Sequence, residues 1–237
     1  MSEHRNRGAK RAREARAKLG LDPVAPLPCL LDCVEAKAGF PVVVASLAEG
    51  VAGACTGGRL LWVNGTQALV RQRFTLAHEL GHAWCKHDGK LVVDTIATLS
   101  GRDTTPYEIA ANAFAAELLI PRAAFEARAP GGDPTLDEVV SIAARYGTSA
   151  LMTLFRFGQH RLASSDCVAE LRAAIEAGEH GAAYERLGCE PFTDRLAELD
   201  ELPYLSEPLR RGRLAAVLGG EAEAEPGLAT AITRLLG

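Results

Sequence analysis

No apolar run in this chain approaches the ~20 residues that a membrane-spanning helix needs, and its N-terminus has no apolar signal core. Neither a membrane protein nor a secreted one is expected, and the expected compartment is the cytoplasm. The six cysteines (Cys29, Cys33, Cys55, Cys85, Cys167 and Cys189) contain no C-x-x-C pair, so a disulfide framework is not expected either. Cys29 and Cys33 stand four apart, a spacing open to redox or metal use, but small buried hydrophobes in a reduced compartment are the preferred reading. No internal repeat is visible. Glycine and proline are present at ordinary levels among 237 residues, 48% of them hydrophobic and 24% charged. That composition suits one medium domain with an appendage, or two small ones, with enough core to fold unaided.

Charge is unevenly placed. Residues 1–20 carry seven Lys/Arg against Glu3 and Glu14, about +5, whereas the whole chain is −4 and the remainder therefore −9. A basic arm over residues 1–25 is open to direct nucleic-acid contact. A solvated, partly frayed helix is the favoured alternative, so nucleic-acid binding has weak support.

What is present is concentrated in Arg73–Asp88, RFTLAHELGHAWCKHD. His78, Glu79 and His82 spell H-E-x-x-H. Residues four apart share one helix face, so both imidazoles can point at one ion. Leu76, Leu80 and Ala83 line one flank and Phe74, Ala77, Gly81 and Trp84 another, which makes the helix apolar nearly all round. Two histidines and a glutamate buried there need partners. A zinc ion held by neutral imidazoles supplies one; another divalent ion such as Mn2+ is also compatible.

The surrounding pattern places helices at Ala9–Leu19 and Leu27–Ala38, β-rich runs at Val42–Leu47 and Leu60–Val63 with a Gly57-Gly58 turn between them, and the motif helix at Val70–His87. Leu91–Ser100 reads as a loop or an irregular strand. Thr104-Thr105-Pro106 opens a helix that runs to Leu119 and stops at Pro121. Thr135–Tyr146 and Ser149–His160 follow as two more. Val139–Phe157 has a suggestive helix–turn–helix spacing but few basic residues, so a plain helical hairpin is favoured. The last seventy or so residues read as amphipathic helix broken by glycine and proline.

Two histidines leave a catalytic zinc one protein ligand short. In the metzincin continuation the glycine that turns the chain back is here Cys85, and the last ligand position is Asp88; His87 is one residue out of register. A glutamate from a second helix is the other source. YEIAANAFAAELLIP, residues 107–121, offers Glu108 and Glu117, which are nearly half a turn out of phase, so only one can face the metal helix. Glu108 shares a face with Asn112, Ala115 and Leu119; small residues there allow close approach, and Asn112 is placed to hydrogen-bond a metal-binding imidazole. Thr105-Pro106-Tyr107-Glu108 is also a capping box. Position alone does not decide between cap and ligand, though the ligand is favoured.

RFTLAHELGHAW followed by EIAANAFAAELLIP closely resembles the two spaced motifs of the ImmA/IrrE metallopeptidases, with Ile120 where methionine is common. The resemblance covers roughly 27–163. It implies that His78, His82 and Glu108 are zinc ligands and Glu79 the general base. It also implies a gluzincin-like intracellular endopeptidase that cuts a helix–turn–helix repressor of XRE type, releasing stress, phage or mobile-element genes.

The expected fold is α+β: a small antiparallel sheet on a mainly helical, zincin-like body, with the cleft between the sheet edge and the motif helix. The expected organisation is a basic N-terminal helix or arm at 1–25, a metallopeptidase domain at 26–163 and a helical extension of unknown role at 164–237. Tyr107, Tyr146, Arg156 and His160 are candidate oxyanion donors. The competing function is a regulatory protein that keeps the metal but sequesters a repressor uncut. A structural zinc module is disfavoured because no fourth protein ligand stands at a fitting spacing.

Overall fold

Residues 2–56, 59–86, 91–95, 105–125, 132–199 and 201–210 are described by a computed structural model. The valine- and leucine-rich runs form strands, as their branching favours: β1 is Val42–Ala45, β3 Leu60–Asn64 and β4 Leu91–Thr95. Two further strands, β2 (Val51–Thr56) and β5 (Tyr204–Leu205), complete a five-stranded sheet in the order β4-β2-β3-β1-β5. β1 and β3 run parallel, and the other pairs are antiparallel. The sheet is therefore mixed, where a purely antiparallel one was expected. The reason is topological: the link from β1 to β2 skips one strand position, and β3 returns into the gap.

β2 is the strand that composition hides. Its sequence VAGACT is rich in small residues with little strand preference. Those small residues have a purpose in packing, because the motif helix α3 (Leu69–Cys85) lies against β2 and β3. A β-carbon on Gly53 would stand 2.4 Å from Thr75 Cγ2, 2.7 Å from Glu79 Oε1 and 2.7 Å from the Trp62 carbonyl oxygen. Only hydrogen fits between strand and helix at this point.

The entry to α3 is fixed by side chains that satisfy loop backbone. Asn64 accepts from Thr66 N–H at 3.1 Å, and Gln72 donates to the carbonyls of Gly65 (3.1 Å) and Gln67 (2.7 Å). The helix ends at Lys86, which takes the left-handed conformation at φ +53°. Helix α4 (Pro106–Leu119) packs across α3, with Gly81 set 3.1 Å from the Phe114 ring on the same measure.

The basic N-terminal segment is a packed helix and not a frayed arm. α1 (Ser2–Lys18) lies along α4. Gly8 meets the Ala110 backbone, Ala12 and Ala15 are fully buried, and Arg16 is 2% exposed. Gly8, Ala12 and Ala15 make a flat stripe that brings the two backbones together. Arg16 reaches inward and donates to the carbonyls of Leu118, Asp22 and Ala25. Its other basic residues stay outside.

A short helix α2 (Leu30–Asp32), running on as a π-turn over Cys33–Ala38, precedes the sheet. Thr135 and Ser149 cap α5 (Leu136–Tyr146) and α6 (Ala150–Gln159), the two helices of the expected hairpin. Arg156, the only arginine of α6, is buried, so that helix offers no basic recognition face. α7 (Ser165–Glu176) and α8 (Glu179–Arg186) cover α6 and α5. The chain then returns to the sheet and places β5 beside β1, and the last described residues form α9 (Glu207–Arg210). Residues 211–237, expected to be helical, lie outside the described residues, as do His87, Asp88, Thr104 and the Gly57-Gly58 turn. Among the described residues, no helix is long and apolar enough to cross a membrane, and none of the six cysteines is in a disulfide.

Candidate metal centre

The i, i+4 spacing on α3 sets His78 Nε2 2.9 Å from His82 Nε2. α4 carries Glu108 to the same point: its Oε2 is 3.1 Å from His78 Nε2, and its Oε1 3.4 Å from His82 Nε2. Glu108 also keeps half of its capping box, since its backbone N–H donates to Thr105 Oγ1 at 3.4 Å. Cap and cluster member are thus one residue, because backbone and carboxylate do separate jobs. Asn112, one turn further on, accepts from His78 Nδ1 at 3.1 Å. That bond leaves the His78 Nε2 lone pair facing Glu108 and His82.

Glu117, the competing carboxylate, faces away into a different network. It is 2% exposed and held by Arg156 at 2.6 Å and Arg13 at 3.1 Å. The half-turn of phase between Glu108 and Glu117 has sorted them as helical geometry requires. Arg156 also donates to the Ile120 carbonyl, and the Tyr146 hydroxyl to Val24 O. His160 packs on Phe125, its imidazole pushed down to about 4 by burial and the nearby Arg156 charge. These three oxyanion candidates are committed elsewhere; Tyr107 is exposed and directly precedes Glu108.

Sequence reasoning missed one member. Asp94, on β4, brings Oδ2 to 3.2 Å from His78 Nε2 and 3.6 Å from His82 Nε2. One donor atom from each of His78, His82, Asp94 and Glu108 lies within 4.8 Å of every other. A lone carboxylate inside the valine-rich run LVVDT was the available signal. It went unread because a run that reads only as a loop or an irregular strand gives its carboxylate no defined direction, and the ground for disfavouring a four-ligand site goes with it.

Electrostatically the cluster calls for a cation. His78, Glu79 and His82 are at most 1% exposed. Burial opposes charge on His78, yet the Asp94 and Glu108 carboxylates raise it to about 9. Burial likewise opposes charge on Glu108, but the two imidazoles hold it well below the usual carboxylate range. Glu79 is pushed well up, first by burial and then by the Asp94 and Glu108 charges. Both oxygens of Glu79, both of Asp94 and Oε2 of Glu108 are buried with no hydrogen-bond partner. Buried carboxylates left this way are costly, and a divalent ion among two imidazoles and two carboxylates satisfies them. The donor set fits such an ion.

Residues 40–157 match the family described as the IrrE N-terminal-like domain of the M78 peptidases. The chain belongs to this ImmA/IrrE family, and with it goes a metallopeptidase-type function acting on protein. No curated protein matches the chain.

Proposed function

We propose that the protein is a zinc-dependent endopeptidase of the cytoplasm that cleaves a helix–turn–helix repressor of XRE type and so derepresses stress, phage or mobile-element genes. The observation that carries the peptidase reading is the buried convergence of His78, His82 and Glu108 with Glu79 packed beside them. His78, His82 and Glu108 would hold the ion, and Asn112 fixes the His78 tautomer. When bound, the metal polarises the scissile carbonyl and acidifies the attacking water. Glu79 takes the proton from that water and hands it to the leaving amine. The repressor substrate rests on the family resemblance alone.

Glu79→Gln tests this reading. The amide cannot accept the water proton, so cleavage of a co-expressed repressor should fall by about 10²–10⁴, while elemental analysis still finds about one zinc per chain. Wild type should both cut the repressor and induce its genes, and the variant should do neither. Full induction by the variant with the repressor intact would establish sequestration instead.

A further inference from the structure

We propose that Asp94 is a fourth protein donor to the metal, carried in by the edge strand β4, and that it closes the position a peptidase must open for water and substrate. This rests on the metal reading above. Four ligands at ~2.0–2.1 Å in a tetrahedron stand about 3.3 Å apart. Asp94 Oδ2 stands 3.2 and 3.6 Å from the two histidine nitrogens, and Glu108 stands 3.1 and 3.4 Å from them. Asp94 therefore occupies its corner as closely as Glu108 does.

Two independent observations support a donor role over an incidental acid. Asp94 is 1% exposed, and its carboxylate faces only the other members of the cluster, which no solvated acidic residue would do. The strand is also shaped to deliver it. β2 and β4 pair at Val51–Thr95 and Gly53–Asp94, so one extra residue of β2 makes a bulge at this point. Bulges re-aim side chains and gather at sheet edges. Here Val93 and Thr95 face outward while Asp94 alone of the three turns in.

A centre with four protein donors is the closed pattern of a structural site; a catalytic one keeps a position free. With Glu79 beside the cluster, the two patterns are reconciled if the Asp94 carboxylate leaves when substrate enters. Asp94 then acts as a gate, and β4 is the element that holds it shut.

The test compares wild type with Asp94→Ala and with the isosteric Asp94→Asn, each checked for fold by circular dichroism. Zinc affinity is measured by chelator competition, and azide access by visible spectra of the cobalt-substituted proteins. Wild-type cobalt spectra should be insensitive to azide, and those of the variants should shift. Zinc affinity should drop in the variants by at least the ~10–100-fold that loss of an outer-shell partner alone typically brings. If Asp94→Asn folds and keeps zinc affinity within twofold, or if wild type takes up azide as readily as the variants, Asp94 is not a donor. If wild type binds neither zinc nor cobalt, the metal reading itself falls, and Asp94 with it.

Discussion

Glu108 and Glu117 show how nine residues of helical phase separate two chemistries. Glu108→Gln should remove most metal affinity while α4 stays capped, because Thr105 still accepts the backbone N–H. Glu117→Gln should leave metal content unchanged and destabilise the fold instead. It strips the partner from the buried Arg156, a change that costs about 3–5 kcal/mol. Metal content and urea midpoints of the two variants should therefore move oppositely. A Glu108→Gln protein that keeps its metal would return that residue to capping alone. The phase argument was available from sequence, and in the structure Glu108 faces the two histidines while Glu117 faces Arg156. Asp94 was not available in that way, because its role depends on a strand pairing and a bulge that no local pattern announces.

At the scale of elements, the centre depends on how closely β2 rides over α3. Gly53→Ala forces a β-carbon within 2.7 Å of the Trp62 carbonyl oxygen and of Glu79 Oε1. The carbonyl belongs to the neighbouring strand and cannot step aside cheaply. Overpacking of this kind costs about 1–3 kcal/mol. The larger effect should be on catalysis, since a misplacement of ~1 Å at a reacting group can cost 10²-fold. Gly53→Ala is expected to keep its zinc, melt somewhat earlier and lose activity out of proportion. Paired zinc analysis, thermal melts and kcat would show this; unchanged kcat would mean that the strand has room. The motif helix was legible from its H-E-x-x-H spacing, and α4 and the α5–α6 pair from their Thr105, Thr135 and Ser149 caps. β2 was not, because its small residues answer to the helix beneath and not to strand preference.

For the whole molecule, Arg73 ties the motif helix to distant parts of the chain. It is fully buried, pairs with the equally buried Asp194, and donates to the carbonyls of Gly147 (3.0 Å) and Leu27 (2.8 Å). Phe192 lies under its guanidinium at 4.3 Å and against Gly147, where φ is +62° and a β-carbon would strike the ring. Asp194 also accepts from the backbone of Leu30 and Leu196. Asp194→Ala should cost about 3–5 kcal/mol, because it leaves a buried charge uncompensated. The double variant Arg73→Met with Asp194→Leu should recover much of that loss. A chain ended at Gly188 would lose Asp194 and β5 together and should fail to hold the motif helix. A truncated chain with wild-type melting temperature would make residues beyond 188 a true appendage.

The sequence by itself determined the motif helix that carries His78, Glu79 and His82, the next helix that carries Glu108 and Asn112, and the α+β class. These follow from periodicity and capping within single elements, which are local physics. Tertiary structure alone decided the parallel pairing of β1 with β3, the seating of α1 on α4, the arrival of Asp94 from the sheet edge, and the Arg73–Asp194 tie. Each joins residues far apart in the chain. What selects such contacts is the burial of specific surfaces and the pairing of buried charge, and that is settled only when the whole chain packs.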